Sequence, residues 1–200
     1  MENVIIREAR REDCKELRRL IQELADFEEM PDDCKLTVEG LERDGFDAVP
    51  PLFHCYVAEV NTHMKDISAT KEENVSDVLK MGDSCAKLIG HALYFFSYSS
   101  QRGRTIYLED IYVTPEYRGS KLGSALFDKV AKKGIETGCV QMDLVVLNWN
   151  PAQIFYKRKG ATDITSEKNF NYYSIDRDAM EHLLAYKYKH TLVDTKSVNL

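Results

Sequence analysis

The sequence lacks any stretch that approaches the roughly 20 apolar residues needed to cross a membrane. Its first residues, MENVIIREARRED, carry charged side chains where a secretory signal peptide has a continuous apolar run. The five cysteines are scattered and none forms a CxxC pair, so their spacing favours neither a disulfide framework nor a zinc site. We therefore predict a soluble protein of a reducing compartment, and more narrowly a cytoplasmic one.

An excess of basic residues is missing as well. The chain has 27 Lys and Arg against 33 Asp and Glu, which gives a formal net charge of -6. Because nucleic-acid binding depends on clustered Lys and Arg, this balance argues against a nucleic-acid partner and suits cationic ligands instead. The five histidines are far apart and include no i, i+4 pair, so we expect no metal site.

The 200 residues, 44% of them hydrophobic, are enough for one compact core. We predict a single domain over residues 1–189, with a polar insertion at 61–86 and a flexible C-terminal tail at 190–200. The insertion is charged and only weakly periodic, which is typical of a solvated loop.

Strand and helix patterns alternate along the chain, and this predicts an α/β (α+β) fold with a mixed sheet flanked by helices. Runs rich in β-branched and aromatic residues predict strands at 4–7, 52–60, 88–98, 104–113, 140–147 and 170–175. Apolar residues at helical spacing predict helices at 17–27, 37–46, from 122 to a stop at Gly138, at 151–159 and at 177–189.

The segment YRGSKLGS, residues 117–124, joins the strand at 104–113 to the helix that begins at 122. A turn rich in small residues at a helix start can direct free backbone N–H groups at a phosphate, and the helix dipole adds positive potential. The segment is neither a Walker A motif nor a GxGxxG motif. Taken alone it leaves two interpretations open: a phosphate site, or an ordinary turn whose glycines allow close packing.

Three motifs follow one another in the second half of the chain: LEDIYVTPEYRGSKLGSAL, then Asn148-Trp149-Asn150, then FYKRKGA. Together with IIREARREDCKELRRLIQELADFE and FHCYVAEV, they resemble the Gcn5-related N-acetyltransferase superfamily. The resemblance is closest to its diamine (spermidine/spermine) acetyltransferase family, including the thialysine-acetylating branch. It runs from Ile5 to about Asp176, without the insertion, and implies a splayed sheet that holds acetyl-CoA where two parallel strands separate.

The resemblance implies acetyl-CoA as co-substrate, no metal, and a homodimer whose subunits both contribute to the acceptor sites. The implied cofactor contacts are Ile111, Tyr112, Val113, Arg118, Gly119, Ser120, Lys121, Leu122, Gly123, Ser124, Asn150 and Tyr156. The chain departs from the family pattern in two places. Lys121 stands where glycine is usual, and the interval from Asn150 to Tyr156 is one residue shorter than usual.

The resemblance also implies the two catalytic residues. Glu109 matches the carboxylate that binds the amine and accepts its proton, and Tyr156 matches the phenol that protonates or hydrogen-bonds the departing thiolate. Phe27, Glu28, Glu109 and Asp110 match positions that bind the acceptor. From the residues alone, a surface salt bridge for Glu109 and a buried core aromatic for Tyr156 stay open as alternatives.

Two further positions bear on the acceptor. Lys168 stands where the family often has a second acidic residue, so a long polyamine would meet like charge there. Ser99-Ser100 resembles the thialysine branch. The sequence thus predicts an acetyl-CoA-dependent N-acetyltransferase for a small cationic amine, a short diamine or a thialysine-like amino acid. The alternatives are a protein lysine or N-terminal acetyltransferase, and a non-catalytic acetyl-CoA-binding interaction protein.

Overall fold

The computed structural model describes residues 3–61, 86–169 and 171–190. The insertion predicted at 61–86 and the tail predicted at 190–200 fall outside the described residues, apart from positions 61, 86 and 190. The chain separates into two compact units, Met1–Asn150 and Pro151–Leu200, and each is described by itself. A single domain over residues 1–189 stays a prediction.

The first unit contains a five-stranded sheet in the order β1-β2-β3-β4-β5. The first three pairs of neighbouring strands are antiparallel, whereas β4 and β5 are parallel, so the sheet is mixed as predicted. The strands are β1 Asn3–Glu8, β2 His54–Asn61, β3 Ala86–Ser99, β4 Gly103–Val113 and β5 Gln141–Asp143.

The fifth strand is shorter than the run at 140–147 predicted. It pairs with β4 only from Thr105 opposite Gln141 to Tyr107 opposite Asp143, while β4 itself continues to Val113. An apolar run forms a strand only where a neighbouring strand completes its hydrogen bonds, and residues 144–147 have none in the described part of the chain. The two parallel strands therefore separate beyond Tyr107, which gives the splayed sheet that the resemblance implies.

Helices cover both faces of this sheet. Helix α1, Cys14–Phe27, buries its apolar side in the core that includes Tyr112 of β4. After the short α2, Val38–Glu42, helix α3, Leu122–Glu136, packs on the other face, where a Cβ added to Gly123 would lie 3.9 Å from Val113. Tyr112 and Val113 are successive strand residues, so their side chains point to opposite faces.

Arginine side chains fix the position of α1. Arg7 forms hydrogen bonds with Asp13, just before the helix, and with Glu59 of β2. In the middle of the helix, Arg19 donates a hydrogen bond to the backbone carbonyl of Leu88, at 2.7 Å. The N-terminal end and the middle of α1 are thereby tied to β1, β2 and β3.

The second unit is helical in its described residues. Helix α4 is Ala152–Arg158, α5 is Ile164–Lys168 and α6 is Arg177–His190. The predictions at 151–159 and 177–189 are confirmed, but α5 was not predicted. The strand predicted at 170–175 is wrong for residues 171–175: they form no strand, and Tyr172 and Tyr173 are 86% and 84% exposed. A segment rich in aromatic residues forms a strand only where a partner strand pairs with it.

Candidate active site

The C-terminal half of β4 has an open edge where β5 separates from it. The backbone N–H of Thr114 donates to a carbonyl of β3 at 2.9 Å, whereas the carbonyl of Val113 accepts from Arg118 Nε at 3.0 Å. The backbone N–H and C=O groups of successive strand residues point to opposite sides of the strand. Those of Ile111 and Val113 therefore point to the open edge, and those of Tyr112 point to β3. Of these three predicted cofactor contacts, Ile111 and Val113 therefore direct their backbone N–H groups to the place where the strands separate.

Glu109 lies at a β-bulge at the start of this open edge. The pairing with β3 runs from Leu93 opposite Asp110 to Tyr94 opposite Leu108, which leaves Glu109 as the extra residue. A bulge bends the strand and redirects the side chains beside it, and bulges are common next to active sites. The bulge thus places two neighbouring carboxylates, those of Glu109 and Asp110, where β4 loses its parallel partner.

A third carboxylate completes an acidic cluster, which consists of Glu28, Glu109 and Asp110. Glu28 is the residue that caps the C-terminal end of α1. Burial raises the pKa of Asp110 to about 7, and repulsion from Glu109 and Glu28 adds to this effect. Burial also raises the pKa of Glu28 and of Glu109. Within the described residues no cationic side chain offsets these effects, so the cluster is a site suited to a cation from outside the chain.

Two aromatic rings lie together at the end of α1, where Phe27 directly precedes Glu28 of the acidic cluster. The ring of Phe27, the last residue of α1, lies 6.0 Å from the ring of Trp149, and Trp149 is half exposed. Such ring faces attract alkylammonium groups. Phe27 was predicted as an acceptor contact through the resemblance, whereas Trp149 was not among the predicted site residues. Only its place beside the strand-end asparagines hinted at a role.

The turn at residues 117–121 has the backbone of a phosphate-binding turn. Gly119 and Lys121 have left-handed φ values of 78° and 68°, and Ser120 Oγ donates to the carbonyl of Tyr117 at 2.6 Å. The turn leads into the N-terminus of α3, which has 15 residues and no acidic residue in its first turn. The N–H groups of that turn, from Leu122 to Ser124, have no partner inside a helix. These residues fit the diphosphate of a coenzyme A molecule whose arm follows the open edge of β4.

The turn also yields a testable prediction about stability. Lys121→Gly is expected to stabilise the protein by about 0.5–1 kcal/mol, because the left-handed backbone at this residue is strained for a side chain with a Cβ atom. Urea unfolding at neutral pH measures this difference. Lys121→Ala is the matched control, since it removes the same ammonium group but keeps the Cβ atom. Equal stability of the two variants would contradict the proposed strain.

Two other predicted cofactor residues lie beyond β5. Asn150 is buried, and its backbone N–H donates to the carbonyl of Leu147 at 3.0 Å in the turn that ends the first unit. Tyr156 is half-buried in α4 of the second unit, and its ring meets that of Phe155 edge-on with the centroids 5.3 Å apart. Their roles toward acetyl-CoA stay predictions.

Two positions, Ser99 and Lys168, served to predict the acceptor from the sequence. Neither belongs to the part of the first unit that forms the acidic cluster. Ser99 Oγ accepts hydrogen bonds from two N–H groups of the β3–β4 hairpin, at the end of β4 opposite the open edge. Lys168 is exposed at the end of α5, in the second unit. In the described parts of the chain, no group of three His, Cys, Asp or Glu could hold a metal, and no helix is long and apolar enough to span a membrane.

Comparison with protein families and curated proteins gives a consistent result. A family model described as the acetyltransferase (GNAT) family matches residues 17–161. The thialysine N-epsilon-acetyltransferase of Bos taurus is 42% identical over 181 residues, which cover 90% of this chain and 96% of the relative. The spermidine/spermine N(1)-acetyltransferase-like protein 1 of Homo sapiens is 37% identical over 176 residues, which cover 88% of this chain and 23% of the relative.

Solved structures confirm the fold. An integron cassette protein from the mobile metagenome of V.cholerae has a TM-score of 0.62 at 19% identity, covering 90% of this chain and 97% of its own. The glucosamine-6-phosphate N-acetyltransferase of Arabidopsis thaliana has a TM-score of 0.55 at 16% identity, covering 88% and 98%. At these identities the likeness concerns the fold alone.

Proposed function

Since the chain belongs to the acetyltransferase (GNAT) family and is an N-acetyltransferase, we propose that it transfers the acetyl group of acetyl-CoA to a small cationic amine. The observation that carries this proposal is the acidic cluster of Glu28, Glu109 and Asp110, which has no cationic partner in the described residues. An ammonium group offers only hydrogen-bond donors and a positive charge, and three carboxylates beside aromatic rings complement both.

The acceptor we propose is a thialysine-like amino acid or a short diamine. Support comes from the curated relatives, several of which are thialysine N-epsilon-acetyltransferases. A long polyamine needs a second anionic site for its distal ammonium group, and the lysine at position 168 is one of the differences from the family that argue against such a site.

The chemistry divides among a few residues of this chain. Bound acetyl-CoA supplies the activated acyl group as a thioester. The N–H groups of Ile111 and Val113 would hydrogen-bond the acetyl carbonyl and the pantetheine arm along the open edge. A primary amine is protonated near pH 7, so Glu109 would bind the ammonium group and accept its proton, directly or through water. Asp110, beside it, strengthens the negative potential, and from the resemblance we assign Tyr156 to protonate the departing thiolate.

We also propose that the protein is a cytoplasmic homodimer whose subunits both contribute to the acceptor sites. Besides the resemblance, an exposed apolar face on α6 supports a partner, since Met180, Leu183 and Leu184 share one side of that helix and are about half exposed. A second copy of the chain is the occupant we propose for this face.

An acceptor panel tests the proposed function. Purified protein is mixed with acetyl-CoA and thialysine, lysine, putrescine, spermidine, spermine or a lysine peptide, and thiol release is followed. We expect kcat/KM to be highest for thialysine or the short diamine. A preference for spermidine or spermine would contradict the chain-length argument. Activity on the peptide alone would favour a protein lysine acetyltransferase, and acetyl-CoA binding without any transfer would favour a non-catalytic binding protein.

A further inference from the structure

Arg118 is an exposed residue, yet its guanidinium group contacts neighbouring side chains and backbone. Its guanidinium carbon lies 5.1 Å from the ring centre of Phe27 and 5.5 Å from that of Tyr112. Its Nε atom donates to the carbonyl of Val113 at 3.0 Å. Two aromatic contacts and a backbone hydrogen bond therefore fix the plane of this guanidinium group.

The partners of Arg118 belong to both halves of the proposed site. Phe27 is the last residue of α1 and directly precedes Glu28 of the acidic cluster. Val113 ends the open edge of β4, where the pantetheine arm is proposed to bind. Tyr112, which precedes Val113 in β4, is buried, and its hydroxyl group also interacts with Glu23 of α1. One side chain, at the start of the phosphate-binding turn, thus contacts the end of α1 and the end of β4.

We propose that Arg118 is a positioning residue that holds Phe27 and Glu28 against β4, and so forms the acceptor site. This inference rests on the proposed function, and it differs from the role that the resemblance implies, which is contact with acetyl-CoA. The planar face of the guanidinium group contacts the two aromatic rings, and its Nε–H donates to the carbonyl of Val113. A lysine at this position keeps the charge but supplies neither of them.

The test compares Arg118→Lys with the wild-type protein in two separate measurements. We expect the KM for the acceptor to rise roughly tenfold, which is the combined size of two cation–aromatic contacts of an exposed arginine. We expect the Kd for coenzyme A, measured by calorimetry without acceptor, to change less than threefold. A tenfold rise in this Kd with an unchanged acceptor KM would overturn the proposal and leave Arg118 as a phosphate ligand.

A second variant separates positioning from a general loss of folding. Phe27→Leu removes the ring that Arg118 contacts, and its effect on the acceptor KM should not add to that of Arg118→Lys, because both changes break the same contact. Additive effects would contradict the proposal. Arg102→Lys, at an exposed arginine of the β3–β4 hairpin, is the matched control and should change neither constant.

Fluorescence gives a readout that does not depend on activity. Trp149 is the single tryptophan of the chain and lies 6.0 Å from Phe27, so displacement of Phe27 in Arg118→Lys should shift its emission. An unchanged emission spectrum would count against the positioning role. Wild-type protein that acetylates no amine would refute the proposed function, whereas normal transfer with an unchanged acceptor KM in Arg118→Lys would refute only this inference.

Discussion

Glu109→Gln is expected to lower kcat/KM for the amine acceptor about 10²–10³-fold, with little change in the Kd for coenzyme A. The substitution keeps the size of the side chain but removes both its charge and its ability to take a proton. Glu109 lies at the bulge, close in the strand to the point where β5 leaves β4 and to the backbone donors proposed for the acetyl group. Steady-state kinetics with a saturating concentration of acetyl-CoA measures the loss.

The loss in Glu109→Gln should shrink as the pH rises. An aliphatic amine loses its own proton near a pKa of about 10, so at high pH the acceptor needs less help from a carboxylate. Glu116→Gln is the matched control, since Glu116 is an exposed carboxylate near the same turn and should leave kcat/KM unchanged. A loss in Glu109→Gln that is the same at every pH would contradict a role in proton transfer.

Asp110→Asn decides which of the two neighbouring carboxylates takes the proton. The raised pKa of Asp110, about 7, means that this carboxyl is half protonated at neutral pH in the free protein. If Asp110 were the proton acceptor, kcat/KM would rise with pH through about 7, and Asp110→Asn would abolish that rise. We expect the larger loss in Glu109→Gln. The reverse order would transfer the catalytic role to Asp110 and leave Glu109 as a binding residue.

The acidic cluster lowers the free energy of unfolding near neutral pH, and the same carboxylates are the ones that would bind the amine. A carboxyl group whose pKa is raised by folding destabilises the native state as the pH rises from its unfolded pKa, about 4, to its folded pKa. For Asp110 this interval ends at about 7. The cost comes from burial first and from mutual repulsion second, and a bound ammonium group offsets both because its positive charge stabilises the ionised carboxylates. The cost of ionising these buried carboxyl groups therefore favours cation binding at the pH where the enzyme would work.

The periodic patterns of the sequence predicted the strands that pair along their whole length and most of the helices. Strands β1 to β4 and helices α1, α3, α4 and α6 lie within about two residues of their predicted bounds, apart from the start of α1. The patterns failed where a partner decides the outcome. The apolar run at 140–147 pairs only to Asp143, and the aromatic run at 171–175 pairs with no strand in the described residues.

The candidate site shows the same division. Glu109 and the turn at 117–121 are contiguous motifs, so a resemblance could find them. The bulge at Glu109 depends on the register with β3, and the LEDIY sequence contains no glycine to signal it. The contacts of Phe27 with Trp149 and Arg118 join residues that are far apart in the chain, and side-chain chemistry alone predicts no such pairing.

His91 provides the second large expected effect, and it concerns stability in acid. The residue is fully buried in β3, and neither of its ring nitrogen atoms has a hydrogen-bond partner in the described part of the protein. Burial lowers its pKa to about 3. In the unfolded chain the pKa is about 6.5, so below that pH the unfolded state binds more protons than the native state. The native state should therefore lose about 3 kcal/mol between pH 7 and pH 4 through this residue.

His91→Leu is expected to remove this loss and to stabilise the protein by about 1–2 kcal/mol at pH 7, because two unsatisfied buried nitrogen atoms are replaced by carbon. Urea unfolding at pH 7, 5.5 and 4.5 measures both effects, and His182→Gln, an exposed histidine on α6, should keep the wild-type pH dependence. Asp110 changes stability with the opposite sign over the same pH range, so the effect of His91 is the difference between the wild type and His91→Leu at each pH. Asp13 does not contribute in this range. Arg7 holds the pKa of Asp13 below its usual value despite burial, so the stability from that ion pair is lost only below about pH 4. The same pH dependence of unfolding in His91→Leu and in the wild type would show that His91 does not contribute to it.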